Sequence, residues 1–195
     1  MTFTAADGAA AECHVPFPPI RAAGAAARPA GGAGGDGGDA VAAAARQIVR
    51  HCTADRTVGV LLVRLGGYAA GVFTGSPPLL AASKVGSRLV HGRSAAGGQS
   101  QQRFARRREK QAAGAMSAAA DTAAAVFGQF EGGLDAVVLG GDRRAVAALR
   151  DDPRLKRYFA LATERFLTVP DPRLTVLRDT PRMFLAVTIR LTEPD

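Results

Sequence analysis

The sequence predicts a mixed α/β fold, a sheet with helices packed against it. Three observations predict it. A β-branched apolar run at residues 57–65 reaches a Gly66-Gly67 turn, an alanine-rich and proline-free stretch from 101 to 130 has helical periodicity, and apolar runs then alternate with short helical segments. Strands first, then helix and strand by turns, is the order of a mixed sheet.

The elements follow in chain order. Residues 1–40 are dominated by Ala, Gly and Pro, and Gly31-Gly32-Ala33-Gly34-Gly35-Asp36-Gly37-Gly38 offers almost nothing to bury, so a flexible, tethered tail over 1–40 is expected, with one globular domain over 41–195. Pro16-Phe17-Pro18-Pro19-Ile20 is the one apolar spot in that tail. Asp39 is placed to cap a short helix over 41–50. The run 57–65 is too apolar for a strand with a solvated face and reads as buried; Gly66-Gly67 turns the chain into a second strand at 68–73. After the loop Gly75-Ser76-Pro77-Pro78, short strands are expected at 79–82 and 87–91. In the long helix, Met116, Ala120, Ala123, Phe127 and Phe130 recur at spacings of four, three, four and three, one apolar stripe on a helix about 40 Å long. A buried strand follows at 134–139, ending at Gly140-Gly141, with Asp142 as cap for a helix at 143–150. Strand, Gly-Gly and helix invite a phosphate-site reading, but no Walker lysine or three-glycine fingerprint is present and Asp142 would repel a phosphate, so a structural turn is expected. A helix restarting at Asp151-Asp152-Pro153 and strands at 166–169 and 183–191 complete the chain.

The 195 residues carry a net charge of +8, and the placement of that charge matters more than its size. Between Lys84 and Lys110 stand Lys84, Arg88, Arg93, Arg103, Arg106, Arg107, Arg108 and Lys110 against one acid, Glu109. A focused patch of this kind is a footprint for a polyanion, although a charge run by itself is also what a solvated helix face looks like. Inside the patch lies Gly97-Gly98-Gln99-Ser100-Gln101-Gln102-Arg103-Phe104. Paired glycines let a backbone lie close against a ligand, arginines supply phosphate contacts, and glutamine is the one side chain left to do chemistry. Chemistry on RNA is the reading. Phe104 is expected to staple the helix start to the domain rather than to stack on a base.

Arg93-Ser94-Ala95-Ala96-Gly97-Gly98 followed by Ser100-Gln101-Gln102-Arg103-Phe104 resembles the actinobacterial branch of the Vms-like release factors. These are peptidyl-tRNA hydrolases whose catalytic domain is related to the middle, GGQ-bearing domain of eukaryotic and archaeal class-one release factors. The family carries a Gly-x-x-Gln loop followed by a long helix. Here Gly-x-x-Gln falls on Gly98, Gln99, Ser100 and Gln101, while Gly97-Gly98-Gln99 spells the literal release-factor tripeptide, so Gln101 and Gln99 compete for the catalytic role. The resemblance covers approximately residues 41–193. It implies a release-factor middle-domain sheet of RNase H-like arrangement, and a codon-independent peptidyl-tRNA hydrolase for large ribosomal subunits obstructed by a nascent chain. It also implies partners: rRNA at the peptidyl-transferase centre and peptidyl-tRNA, with Arg93, Arg103, Arg106, Arg107, Arg108 and Lys110 as RNA anchors. No cofactor and no metal are implied, and a monomer is expected. A decoding factor needs a second domain to read a stop codon, and no segment of this chain looks like one. The larger members of the family carry further modules that this chain does not show.

Other classes fit less well. The first predicted strand carries no carboxylate for two-metal nuclease chemistry. Cys13-His14 and His51-Cys52 have no familiar zinc spacing, and neighbouring side chains diverge; the two cysteines are expected to stay reduced. Ser87 or Ser94 with His91 lacks a nucleophile elbow. No secretory signal and no membrane span is read, so cytoplasm is the expected compartment. A catalytically silent ribosome- or RNA-binding module remains the alternative, because fold and charge alone do not separate binder from enzyme.

Overall fold

The computed structural model describes residues 1–20, 37–64, 66–87, 100–130 and 132–193, and over 100–109 it describes the backbone alone. In chain order the elements are β1 (Thr2–Thr4), β2 (Ala10–His14), α1 (Gly37–Cys52), β3 (Val58–Arg64), β4 (Gly67–Thr74), β5 (Leu79–Ser87), α2 (Ser100–Phe127), β6 (Ala136–Gly141), α3 (Arg143–Ala147), α4 (Lys156–Phe159), β7 (Ala162–Leu167), α5 (Leu174–Phe184) and β8 (Thr188–Thr192). They fall into two compact units: Met1–Ala54 with Leu185–Asp195, and Asp55–Phe184.

The larger unit is the mixed α/β sheet that the sequence predicts. Its strand order is β5-β4-β3-β6-β7, with β5, β4 and β3 antiparallel and β6 and β7 parallel to β3. Counted from its own first strand this is 3-2-1-4-5, the RNase H-like arrangement. From Val58 to Val63 every residue of β3 is buried, which is why its sequence is continuously apolar instead of alternating. Odd-numbered β3 residues Leu61 and Val63, with Ala70, Val72, Val137 and Leu139, join one core with Ala119, Ala120, Ala123, Val126 and Phe127 of α2 and with Val146, Leu149, Leu155 and Tyr158 of the α3–α4 region. On the opposite face α5 lays Leu177 against Gly71 and Phe184 edge-on against Phe73, at 5.8 Å between ring centroids.

Glycine packing closes the sheet. A methyl at Gly140 would come within 2.8 Å of the Leu167 carbonyl oxygen and 2.9 Å of Leu62, so β6 can lie between β3 and β7 only without a side chain there. Gly141 has φ +100°, and a methyl on it would meet the Val63 carbonyl, which instead accepts the Asp142 amide at 2.7 Å. The pair therefore ends the strand from within. Asp142 caps α3 as expected, its carboxylate accepting from the amides of Arg144 and Ala145.

Three expectations need correction. The tail read over 1–40 contains β1 and β2: β2 pairs with β1 and with the C-terminal β8, in the registers Thr2↔Glu12 and Cys13↔Ile189. Composition hid this. The partner that satisfies β2 lies about 180 residues away in sequence, and the Ala/Gly/Pro average of the segment masked the Thr-Phe-Thr and Ala-Glu-Cys-His strands. Residues 21–36 lie outside the described ones. The strand read over 183–191 is the end of α5 followed by β8, because Leu174, Leu177, Pro181 and Phe184 are spaced three, four and three and drive a helix through Phe184. The two short strands read at 79–82 and 87–91 are one strand, Leu79–Ser87, with 88–91 outside the described residues. Cys13 is buried and Cys52 partly buried, and the two form no disulfide with each other.

Two outcomes follow. Gly141→Ala should destabilise the protein by about 1–3 kcal/mol through strain and overpacking, read as a lower denaturant midpoint. The second concerns Arg154, which bridges Asp121 of α2 and Asp152 of the turn before α4. Its hydrogen bonds hold the Asp152 carboxyl below the ordinary carboxylate range. A depressed folded-state pKa gives stability that is complete above the unfolded value and is lost as the pH falls through the folded one. The difference in unfolding midpoint between wild type and Arg154→Ala should therefore be constant from pH 5 to 8 and shrink below about pH 4.

Candidate functional site

The basic, glutamine-bearing segment is held by two elements of the larger unit, the edge strand β5 and the helix α2. The base of this connection is tightly built. The last residue of β5, Ser87, pairs with Gly67, and the Tyr68 ring lies over Gly86 so closely that a Cβ there would come within 2.6 Å of the ring. Gly67 in turn lies against Pro172, 3.5 Å from where its methyl would be. Arg64 fixes this corner by donating from Nη1 to the Val169 carbonyl at 2.7 Å, with Asp171 3.9 Å from its Nε. Sequence reasoning missed Tyr68 and Arg64. The signal available was an aromatic one residue after a Gly-Gly turn, together with an arginine at the end of an otherwise apolar strand.

The other support is α2. It begins at Ser100, so Gln101 is its second residue and Arg103, Arg106, Arg107 and Arg108 occupy its first turns. Gln101 thus belongs to a helical backbone. Arg93, Gly97, Gly98 and Gln99 lie outside the described residues, as do the side chains of Gln101, Arg103, Phe104, Arg106, Arg107 and Arg108. Lys110 is exposed, no residue from 110 to 114 is buried, and Ala115 is the first buried position among the helix residues whose side chains are described. At 1.5 Å per residue, Ala115 lies roughly 22 Å along the helix from Ser100. Burial of α2 then follows Ala115, Ala119, Ala120, Ala123, Val126 and Phe127, small residues first and the large ring last. Of the five residues predicted to form its apolar stripe, Ala120, Ala123 and Phe127 are buried and Met116 and Phe130 pack at the core margin.

Three acids of this unit are engaged in structural contacts. Asp135 accepts the Thr57 amide at 2.7 Å, Asp142 caps α3, and Asp121, on the C-terminal half of α2, is bound by Arg154. With no carboxylate on β3 and those at both ends of β6 engaged by backbone amides, the sheet ends do not assemble the convergent acids that two-metal nuclease chemistry needs. Among the described residues no group of three or more His, Cys, Asp or Glu could hold a metal ion. No helix among them is long and apolar enough to cross a membrane. What remains around the β5–α2 connection is positive charge, with Lys84 exposed on β5 and Lys110 exposed on α2.

Among solved structures, the chain is similar to an archaeal translation termination factor, aRF1, at 14% identity over 62% of this chain and 32% of that one, with a TM-score of 0.42. The chain spans about a third of the length of that structure. No curated protein matches it. The sequence profile of the Actinobacteria/chloroflexi VLRF1 release factors matches residues 56–190, from just before β3 into β8 and well over half of the 195 residues, so the chain belongs to that family.

Proposed function

We propose that the protein is a peptidyl-tRNA hydrolase that frees nascent chains from large ribosomal subunits without reading a codon. The observation that carries this reading is the direct continuation of a Gly-Gly-Gln-Ser-Gln segment into a long helix whose first turns carry the arginines in sequence and whose buried Ala115 lies roughly 22 Å from its start. Membership of a release-factor family supports it. Such a helix can carry a narrow glycine loop into an RNA cavity while the sheet stays outside.

Ester hydrolysis at the terminal ribose needs a water placed against the carbonyl and donors for the oxyanion that develops. Backbone N–H groups of Gly97, Gly98 and Gln99 are suitable donors. A glutamine amide both donates and accepts hydrogen bonds, and as a neutral group it costs far less to desolvate than a carboxylate. Gln101, in the Gly-x-x-Gln register of the resembled family, is the principal residue, with Gln99 as its competitor. Arg93, Arg103, Arg106, Arg107, Arg108 and Lys110 contact phosphates and contribute position rather than bond cleavage. Work of this kind needs no cofactor, and its setting is the cytoplasm.

The test is release of a labelled nascent chain from purified large subunits carrying peptidyl-tRNA. Gln101→Ala should lower the release rate about 10²–10³-fold, the scale of losing one preorganised donor, with subunit binding retained; Gln99→Ala should leave more activity. The reverse ranking would move the catalytic role to Gln99. Arg106→Gln with Arg107→Gln should weaken subunit binding and flatten its salt dependence. If the glutamine variants altered binding alone, and wild type bound without releasing, the protein would be a silent ribosome-binding module.

A further inference from the structure

We propose that the α3–α4 region forms a second RNA-backbone contact surface, at the sheet edge opposite the β5–α2 connection. Between residues 143 and 157 stand Arg143, Arg144, Arg150, Arg154, Lys156 and Arg157 against two acids, Asp151 and Asp152. Arg154 is committed to Asp152 and Asp121. Arg143, Arg144, Arg150 and Lys156 take part in none of the ion pairs among the described residues, and all four are exposed.

Three of the guanidiniums are held on aromatic faces. Arg143 lies 4.3 Å above the centre of Phe166, Arg150 lies 5.1 Å above Phe159, and Arg157 lies 4.7 Å above Tyr158 and donates to its hydroxyl. These rings belong to β7 and α4 and are partly or wholly buried, so each stack anchors a planar fork on the fold itself. A stacked guanidinium has lost much of its rotamer freedom while its plane, not its N–H edge, faces the ring, and exposed Arg143 and Arg150 can offer that edge to phosphate oxygens in pairs. Lys156, Arg157 and Arg154 also line one shallow concavity with Pro153, Ala160 and Ala124 of α2. Leu161 is the single exposed large apolar residue of this stretch. A protein partner would want an apolar centre to its interface; this surface instead presents preorganised cations and suits a phosphodiester backbone.

Position gives the surface its use. Strands β5 and β7 are the two edges of a five-stranded sheet, about 19 Å apart at the ordinary strand spacing. A folded RNA held at both edges cannot rotate about the basic helix, and the second contact acts at the high effective concentration set by the first.

The surface is tested on the full chain with two probes, purified large subunits and a 20-base-pair RNA duplex, neither carrying peptidyl-tRNA, so the outcome is separate from hydrolysis. The variant combines R143Q, R150Q, K156Q and R157Q; the pairs R143Q/R150Q and K156Q/R157Q provide milder versions if the fourfold change unfolds the chain. Binding to both probes should weaken by about tenfold or more, and the slope of log affinity against log salt should fall by about two to three, close to one per lost phosphate contact. In wild type, bound RNA should also protect Lys156 from acetylation. A folded variant with unchanged affinity and salt slope, or Lys156 acetylated equally with and without RNA, would overturn the proposal. Weakened binding to subunits with duplex binding unchanged would overturn it too, assigning the surface to an acidic ribosomal protein.

Discussion

The contact between the alanine stripe of α2 and the sheet is the constraint on which the rest of the structure depends. Ala115, Ala119, Ala120 and Ala123 are buried where the helix crosses the sheet, and only residues this small let a helix axis lie so close to strands. Each methyl contributes little, about 0.8 kcal/mol, whereas full burial of Phe127 or Val126 contributes about 1.5–3 kcal/mol. Most of the energy of docking therefore resides in the last turn. The edge-on stack of Phe127 on Tyr158 and the Arg154 bridge to Asp121 reinforce the same C-terminal half. Fixing one end of a long helix firmly leaves its other end free of any requirement to be apolar, and it is there that the arginines stand.

Residues 110–114, ahead of the buried stripe, are helical with none of them buried. Isolated helices are marginal in water, but a helix nucleated by a docked segment extends at the cost of propagation alone. The sequence from Gln101 to Ala113 contains no glycine, proline or β-branched residue and is rich in Arg, Gln, Lys and Ala, all good helix formers. By contrast, α5 on the other face of the sheet has a proline at 181 and depends on Leu177 and Phe184 being fully buried.

Those two regimes explain what was legible in the sequence. The buried strand β3, the hairpin to β4, the long helix and the Asp142 cap each have a local signature: an apolar run, paired glycines, a 3.6-residue stripe, a carboxylate before a helix. The release-factor resemblance rested on a compact motif, and the family match followed it. Harder to read was whatever depends on distant partners. β1 and β2 make sense only once β8 supplies the pairing edge, and the two glycines at 140 and 141 are explained by Leu167, Leu62 and Val63, residues from two other strands. Tyr68 and Arg64 support the corner below β5 through Gly86 and Val169, contacts no spacing rule encodes. The arginine stacks of α3 and α4 were invisible for the same reason, since Phe166 and Phe159 reach them from other elements.

The placement of charge also bears on how a domain with no assembled acid cluster can serve hydrolysis. Asp135 and Asp142 at the ends of β6 are engaged by backbone amides and Asp121 by Arg154, so these three carboxylates are committed to structure. A charged base carried into an RNA cavity would meet repulsion from phosphates if it were anionic and would lose hydration whatever its sign. A neutral amide avoids both costs. Under the proposed function this is a division of labour in which cations on a rigid scaffold secure position and an uncharged side chain orients water, while the electrostatic stabilisation of the transition state is left to backbone donors and to the RNA into which the loop is delivered. The fold's task under this reading is geometric: to hold a basic helix at a fixed angle on a sheet whose glycine-packed strands do not yield.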